Sequence, residues 1–161
     1  MNFMNRYKLT RFSIILFCIW MLPVFGHAQS CDPITRAQLK EKLEQMGFTV
    51  KTISQEAGKE KYSIDHPGTG FNIPVGYEIS PSTNFIWLTA NLGKAENLTP
   101  EKSMEMIKEN GKIQPCFFYI TSTGLMMMGL GVENRGVTAA ILRRHIDKFV
   151  ADVSKTSAVW Q

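Results

Sequence analysis

Phe85-Ile86-Trp87-Leu88-Thr89-Ala90 carries large apolar residues at odd and even positions alike. Side chains of an extended chain alternate between two faces. Phe85, Trp87 and Thr89 therefore point one way, and Ile86, Leu88 and Ala90 the other. The same holds downstream, where Phe117 and Tyr119 oppose Phe118 and Ile120, and Leu125 and Met127 oppose Met126, Met128 and Leu130. An antiparallel sheet with one wet face should alternate apolar and polar residues instead. Two arrangements satisfy such strands: helices cover both faces, or one face is buried against another chain.

Turn and cap signals divide the sequence around these strands. Upstream, Asp32-Pro33 and the capping box Thr35-x-x-Gln38 precede Arg36, Leu39, Leu43 and Met46, which share one helical face, and Gly47 stands at the stop. Residues 48–54 and 61–65 alternate and read as a hairpin turning at Gly58. His66-Pro67-Gly68-Thr69-Gly70 reads as a loop. Residues 71–79 are extended but hold Pro74 and Gly76, which predicts an irregular or edge strand.

Downstream, Thr99-Pro100 opens a helix carrying Met104, Met106 and Ile107, with Gly111 at its end. Pro115 opens a strand over 116–121, Ser122-Thr123-Gly124 turns it, and 125–132 runs back. Asn134-Arg135-Gly136 is a last turn. Thr138 then caps the longest helix, whose Ile141, Leu142, His145, Ile146, Phe149, Val150 and Val153 form a continuous stripe. The predicted class is α+β, an antiparallel sheet flanked by three helices in the order α-β(3-4)-α-β(2)-α.

The first 28 residues read differently. Arg6, Lys8 and Arg11 precede an apolar run over 12–25, and Gly26-His27-Ala28 offers small residues where a signal peptidase reads. This is the layout of a cleaved secretory leader, and its apolar run of about 14 residues is short of the ~20 that cross a bilayer. The expectation is an exported protein, periplasmic or extracellular, with a single α+β domain over 29–161. The leader holds three of the 18 Lys and Arg and none of the 14 Asp and Glu. The chain beyond it is near neutral and without charge blocks, which argues against a nucleic-acid partner or a polybasic membrane patch.

Two cysteines lie beyond the leader, Cys31 and Cys116. In an oxidising compartment they are compatible with one disulfide; two unpaired thiols are the alternative. Ala28-Gln29-Ser30 before Cys31 lacks the Leu and small-residue run of lipoprotein processing.

Reactive constellations are weak. His145 lies on the apolar stripe of the last helix and reads as a half-buried core residue. His66 follows Asp65 in a polar loop, and a hydrolase built on that pair would need a nucleophile or metal. The two histidines have no paired metal-ligand spacing. Cys116 lies in an apolar strand that would raise its pKa. Gly129-Leu130-Gly131 lacks the third glycine of a phosphate loop and reads as a bulge or strand end. No catalytic residue, metal or cofactor is expected. Trp87 and Met126-Met127-Met128 are the candidate partner contacts, because tryptophan anchors interfaces and methionine adapts to varied apolar surfaces.

Thr89-Ala90-Asn91-Leu92, the capped helix over 99–110, Cys116-Phe117-Phe118-Tyr119-Ile120 with its Gly124 hairpin, and Gly136-Val137-Thr138 opening a helix with Ile141, Ile146 and Phe149, then Trp160, together resemble the YbjN-like proteins. Those share the fold of the bacterial type III secretion chaperones, and the match spans residues 34–160. The resemblance implies a compact α+β domain, often a dimer, that binds another protein rather than transforming a substrate. The expected function is a non-catalytic protein-binding module that holds a peptide or protein segment, or a second copy, on an apolar sheet face. The alternative is a small-molecule or lipid carrier with a pocket between sheet and helices. A buried cavity would favour the carrier, and a solid core with a flat exposed patch the binding module.

Overall fold

The computed structural model describes residues 32–161. The expected leader and Cys31 lie outside them. The elements run α1 (Arg36–Gln45), β1 (Lys51–Ser54), β2 (Lys61–Pro67), β3 (Asn72–Ile79), β4 (Phe85–Lys94), a 3-10 turn (Ala95–Asn97), α2 (Pro100–Glu109), β5 (Phe117–Ile120), β6 (Leu125–Glu133), α3 (Ala139–Lys155) and a one-turn α4 (Ser157–Trp160). The strands form one antiparallel sheet in the order β1-β2-β3-β4-β6-β5. Among the described residues, no helix is long and apolar enough to cross a membrane.

Helix starts follow local chemistry. The Thr35 hydroxyl accepts from the Gln38 N–H at 3.3 Å while the Gln38 side chain accepts from the Thr35 N–H at 2.8 Å, a reciprocal box. Thr99 and Thr138 cap α2 and α3 through their hydroxyls alone, accepting from the Lys102 and Ile141 N–H groups. Gly47 ends α1 with φ +86°, a conformation that costs glycine little.

The sheet corrects three expectations. β3 is an interior strand, paired with β2 along its length and with β4 over Val75–Ile79. Pro74 is tolerated because it stands one residue before the β4 ladder begins, where only β2 flanks it. His66 and Pro67 belong to β2 and are not a loop. Gly129 and Gly131 lie in the middle of β6, neither at a bulge nor at a strand end.

All three long helices bury side chains in one core: Leu39 and Leu43 from α1, Met106 from α2, and Leu142, Ile146, Phe149 and Val153 from α3. They meet the inward row of each strand from β2 to β6, including Ile64, Val75, Tyr77, Ile86, Leu88, Met128 and Leu130. Among the described residues, the helices therefore cover one face of the sheet, and none covers the opposite face.

Asn134, fully buried after β6, fixes the chain entry to this core. Its Nδ2 donates to the Thr83 carbonyl at 2.8 Å and to the Ile34 carbonyl at 3.1 Å, and its Oδ1 accepts from the Ile34 N–H at 3.3 Å. Removing it takes three hydrogen bonds from the backbone of two segments, at Ile34 and Thr83. Asn134→Ala is expected to lower unfolding free energy by about 2–3 kcal/mol in a urea titration; a loss below about 0.5 kcal/mol, the size of an ordinary surface change, would contradict this role.

Candidate binding face

The open face is built by alternation. On β4 it presents Phe85, Trp87 and Thr89, on β5 Phe117 and Tyr119, and on β6 Leu125, Met127, Gly129 and Gly131. Cross-strand register brings Trp87 opposite Gly131, Thr89 opposite Gly129, Gly129 opposite Phe117, and Met127 opposite Tyr119. Consecutive ring centroids along Phe85, Trp87, Phe117 and Tyr119 stand 6.2, 6.1 and 5.6 Å apart. These are ordinary aromatic contact distances, so the four rings form one continuous apolar surface. Phe85 is 45% exposed, and the others are half-buried by each other.

The two β6 glycines let the rings approach the sheet closely. A Cβ at Gly131 would lie 3.3 Å from the Trp87 ring, and one at Gly129 would lie 3.0 Å from Tyr119 and 3.2 Å from Phe117. The rings pack directly against bare backbone at these two positions. The sequence holds a signal for this arrangement, two glycines at alternating positions beside aromatic strands. It becomes readable only once the pairing of β6 with both β4 and β5 is known.

The other half of the same face is polar. Lys51 pairs with Asp65 at 2.6 Å, and Lys61 with Glu78 at 2.5 Å. Glu133 closes the β6 end opposite Phe85. Burial raises the Tyr119 pKa, with Glu78 adding to the rise and Lys61 opposing it, so the phenol at the patch stays neutral. An apolar centre bordered by charges is the anatomy of a protein interface.

The candidate contact residues divide by parity. Trp87 and Met127 lie on the open face. Met126 and Met128 do not: they are 2% and 0% exposed and pack in the core under the helices, because one residue along a strand reverses the face. Phe85, Phe117 and Tyr119, not singled out from sequence, join Trp87 and Met127 instead.

The remaining candidates sit elsewhere. Cys116 is buried, and burial together with a hydrogen bond to Asp152 pushes its thiol up to about 12. Asp152 is also bonded to Lys148. Because Cys31 lies outside the described residues, the expected pairing of Cys31 with Cys116 does too. His145 is half-buried on α3, its pKa lowered by burial and then by Arg144. Among the described residues, no group of three His, Cys, Asp or Glu is placed to hold a metal ion.

His66 is a core residue. Its Nε2 lies 2.7 Å from the buried Tyr77 hydroxyl, Phe48 packs edge-on against its ring, and the Arg143 guanidinium lies 4.8 Å over Phe48. Burial lowers its pKa below 6.5, and Arg143 lowers it further, while Asp147 and Asp65 pull the other way. A histidine that binds its proton more weakly when folded stabilises the fold above the unfolded pKa, and that stability is lost as pH falls below about 6.5. Wild-type stability is expected to drop between pH 7 and pH 5, with a contribution from this group. His66→Gln, which keeps an acceptor for Tyr77, should flatten that slope; equal slopes in parallel urea titrations would contradict the assignment.

A cleft of about 310 Å³ lies where β4 and β6 meet α2 and α4, between Leu92, Leu98 and Trp160, with Lys94 and Lys102 at its edge. It opens at the surface. Between sheet and helices the space is filled by Leu39, Leu43, Leu88, Leu130, Leu142 and Phe149, each at 0% exposure.

No protein-family model matches the chain, and no curated protein matches it significantly. Among solved structures it is similar to a chain in the heterodimeric complex ExoU-SpcU from the type III secretion system of Pseudomonas aeruginosa. Identity is 11%, the match covers 75% of this chain and 96% of that chain, and the TM-score is 0.46. The likeness is one of general layout at low identity.

Proposed function

We propose that this chain is an exported, non-catalytic binding module of the kind the YbjN-like and secretion-chaperone resemblance implies. It holds an apolar segment of a partner protein on the aromatic face of its sheet. The observation that carries the reading is the continuous surface of Phe85, Trp87, Phe117, Tyr119 and Met127 over Gly129 and Gly131, left uncovered by the helices. Contiguous exposed apolar surface of this kind marks interaction sites, and tryptophan and tyrosine supply most hot spots.

Ring orientation bears on the kind of partner. Trp87 and Phe117 cross at 83°, and the flanking pairs are tilted by about 40°. A platform that stacks on a flat ligand needs coplanar rings. Rings set at angles leave shallow notches between them, which suit branched and aromatic side chains. The solid core also favours this reading over a carrier, whose ligand would need the space that the core leucines and Phe149 occupy. His66 and Cys116, the residues nearest to reactive chemistry, are both buried and held uncharged. Export rests on the basic and apolar composition of the first 28 residues.

Peptides selected from a displayed library on the wild-type protein test the face. They are expected to bind Trp87→Ala at least roughly tenfold more weakly, equivalent to about 1.4 kcal/mol. Met127→Ala should also weaken them, and Ile53→Ala, at a 65% exposed residue of β1, should not. Light scattering on the same proteins reports whether a second copy occupies the face, through a doubled mass that Trp87→Ala abolishes. Binders indifferent to Trp87 and Met127, or a library that yields none, would overturn the proposal.

A further inference from the structure

We infer that the side-chain amide of Asn110 closes the free edge of the sheet at β5 and keeps that edge from pairing with a second copy of the chain. Among the described residues, the sheet ends on β5. Its sequence, Phe117-Phe118-Tyr119-Ile120, favours strands and holds neither charge nor proline. That is the composition of segments that add to one another edge to edge. Edges are usually blunted by a charge, a proline, a bulge or a covering element. The opposite edge has two such devices, Lys51 and a register irregularity between Thr52 and Ser54. β5 pairs with β6 in unbroken register from Phe117 to Ile120, and none of these devices lies within it.

Alternate residues of an edge strand turn both backbone groups outward. Phe118 does so in the middle of β5, and both groups are taken. Its N–H donates to Asn110 Oδ1 at 2.7 Å, and its carbonyl accepts from Asn110 Nδ2 at 3.3 Å. A primary amide offers the donor and acceptor of one peptide unit, so Asn110 stands in for one residue of a further strand. The fold holds it there, because Asn110 is the C-cap of α2 and its own N–H is bonded to the Met106 carbonyl at 3.1 Å. The excluded occupant is a second β5. Two identical edges can pair antiparallel about a two-fold axis without any further complementarity.

This concerns the edge and not the aromatic face, and the test separates them. In Asn110→Ala, the Phe118 amide is expected to lose its protection from hydrogen exchange, and the scattering mass to rise toward a doubling with concentration. Ile120→Lys, which adds charge to the same edge, should reverse that rise, whereas Trp87→Ala should not. Asn110→Asp keeps the acceptor for the Phe118 N–H and loses the donor, so it should show a smaller rise and serves if Asn110→Ala does not fold. Variants that keep the wild-type mass across the same concentrations would overturn the inference. So would association that Trp87→Ala abolishes and Ile120→Lys leaves intact.

Discussion

Alternation in β4, β5 and β6 sends half of an apolar set of side chains away from the helices that cover the sheet. Ile86, Leu88, Phe118, Met128 and Leu130 go into the core under the helices, while Phe85, Trp87, Phe117, Tyr119 and Met127 go to the opposite side. Connectivity does not relieve this, because α1, α2 and α3 all join the same core. The protein keeps a face whose composition belongs in an interior, and it limits the exposed area by laying rings over Gly129 and Gly131. Larger residues at those two positions would lift the rings and break the patch into separate projections.

The open face divides into an apolar half and a polar half. The β2 and β3 half carries ion pairs at Lys51–Asp65 and Lys61–Glu78, each exposed enough to contribute little to stability. They bound the apolar half. Asn110 acts at the other border, where the aromatic strand β5 is also the last strand. Face and edge of one strand thus receive opposite treatment, the first left open and the second closed.

Most of the fold is legible in the sequence because its signals are local. Thr35, Thr99 and Thr138 each cap a helix a few residues away, and Gly47 and Gly124 take turn conformations set by neighbouring sequence. Strand order is not legible in the same way. Pro74 argues for an edge strand, and it lies in an interior one because the partner ladder begins at Val75, a fact of pairing between distant segments. The site is legible to the same degree. Trp87 and Met127 lie on the open face, yet which methionines share the Trp87 face depends on the register of β6 against β4. The role of Gly129 and Gly131 needs that same register. His66 reads as a loop residue because Pro67 and two glycines come after it, and its bond to Tyr77 across β2 and β3 has no local signature.

The central claim, a sheet covered on one side only, is most directly tested by oxidation of three consecutive methionines. Dilute protein is treated with low peroxide, and the modified positions are located by mass spectrometry. Oxidation tracks exposure of the thioether, so the account expects Met127 to oxidise several-fold faster than Met126 and Met128. Equal rates at all three, or faster oxidation of Met126 or Met128, would contradict it.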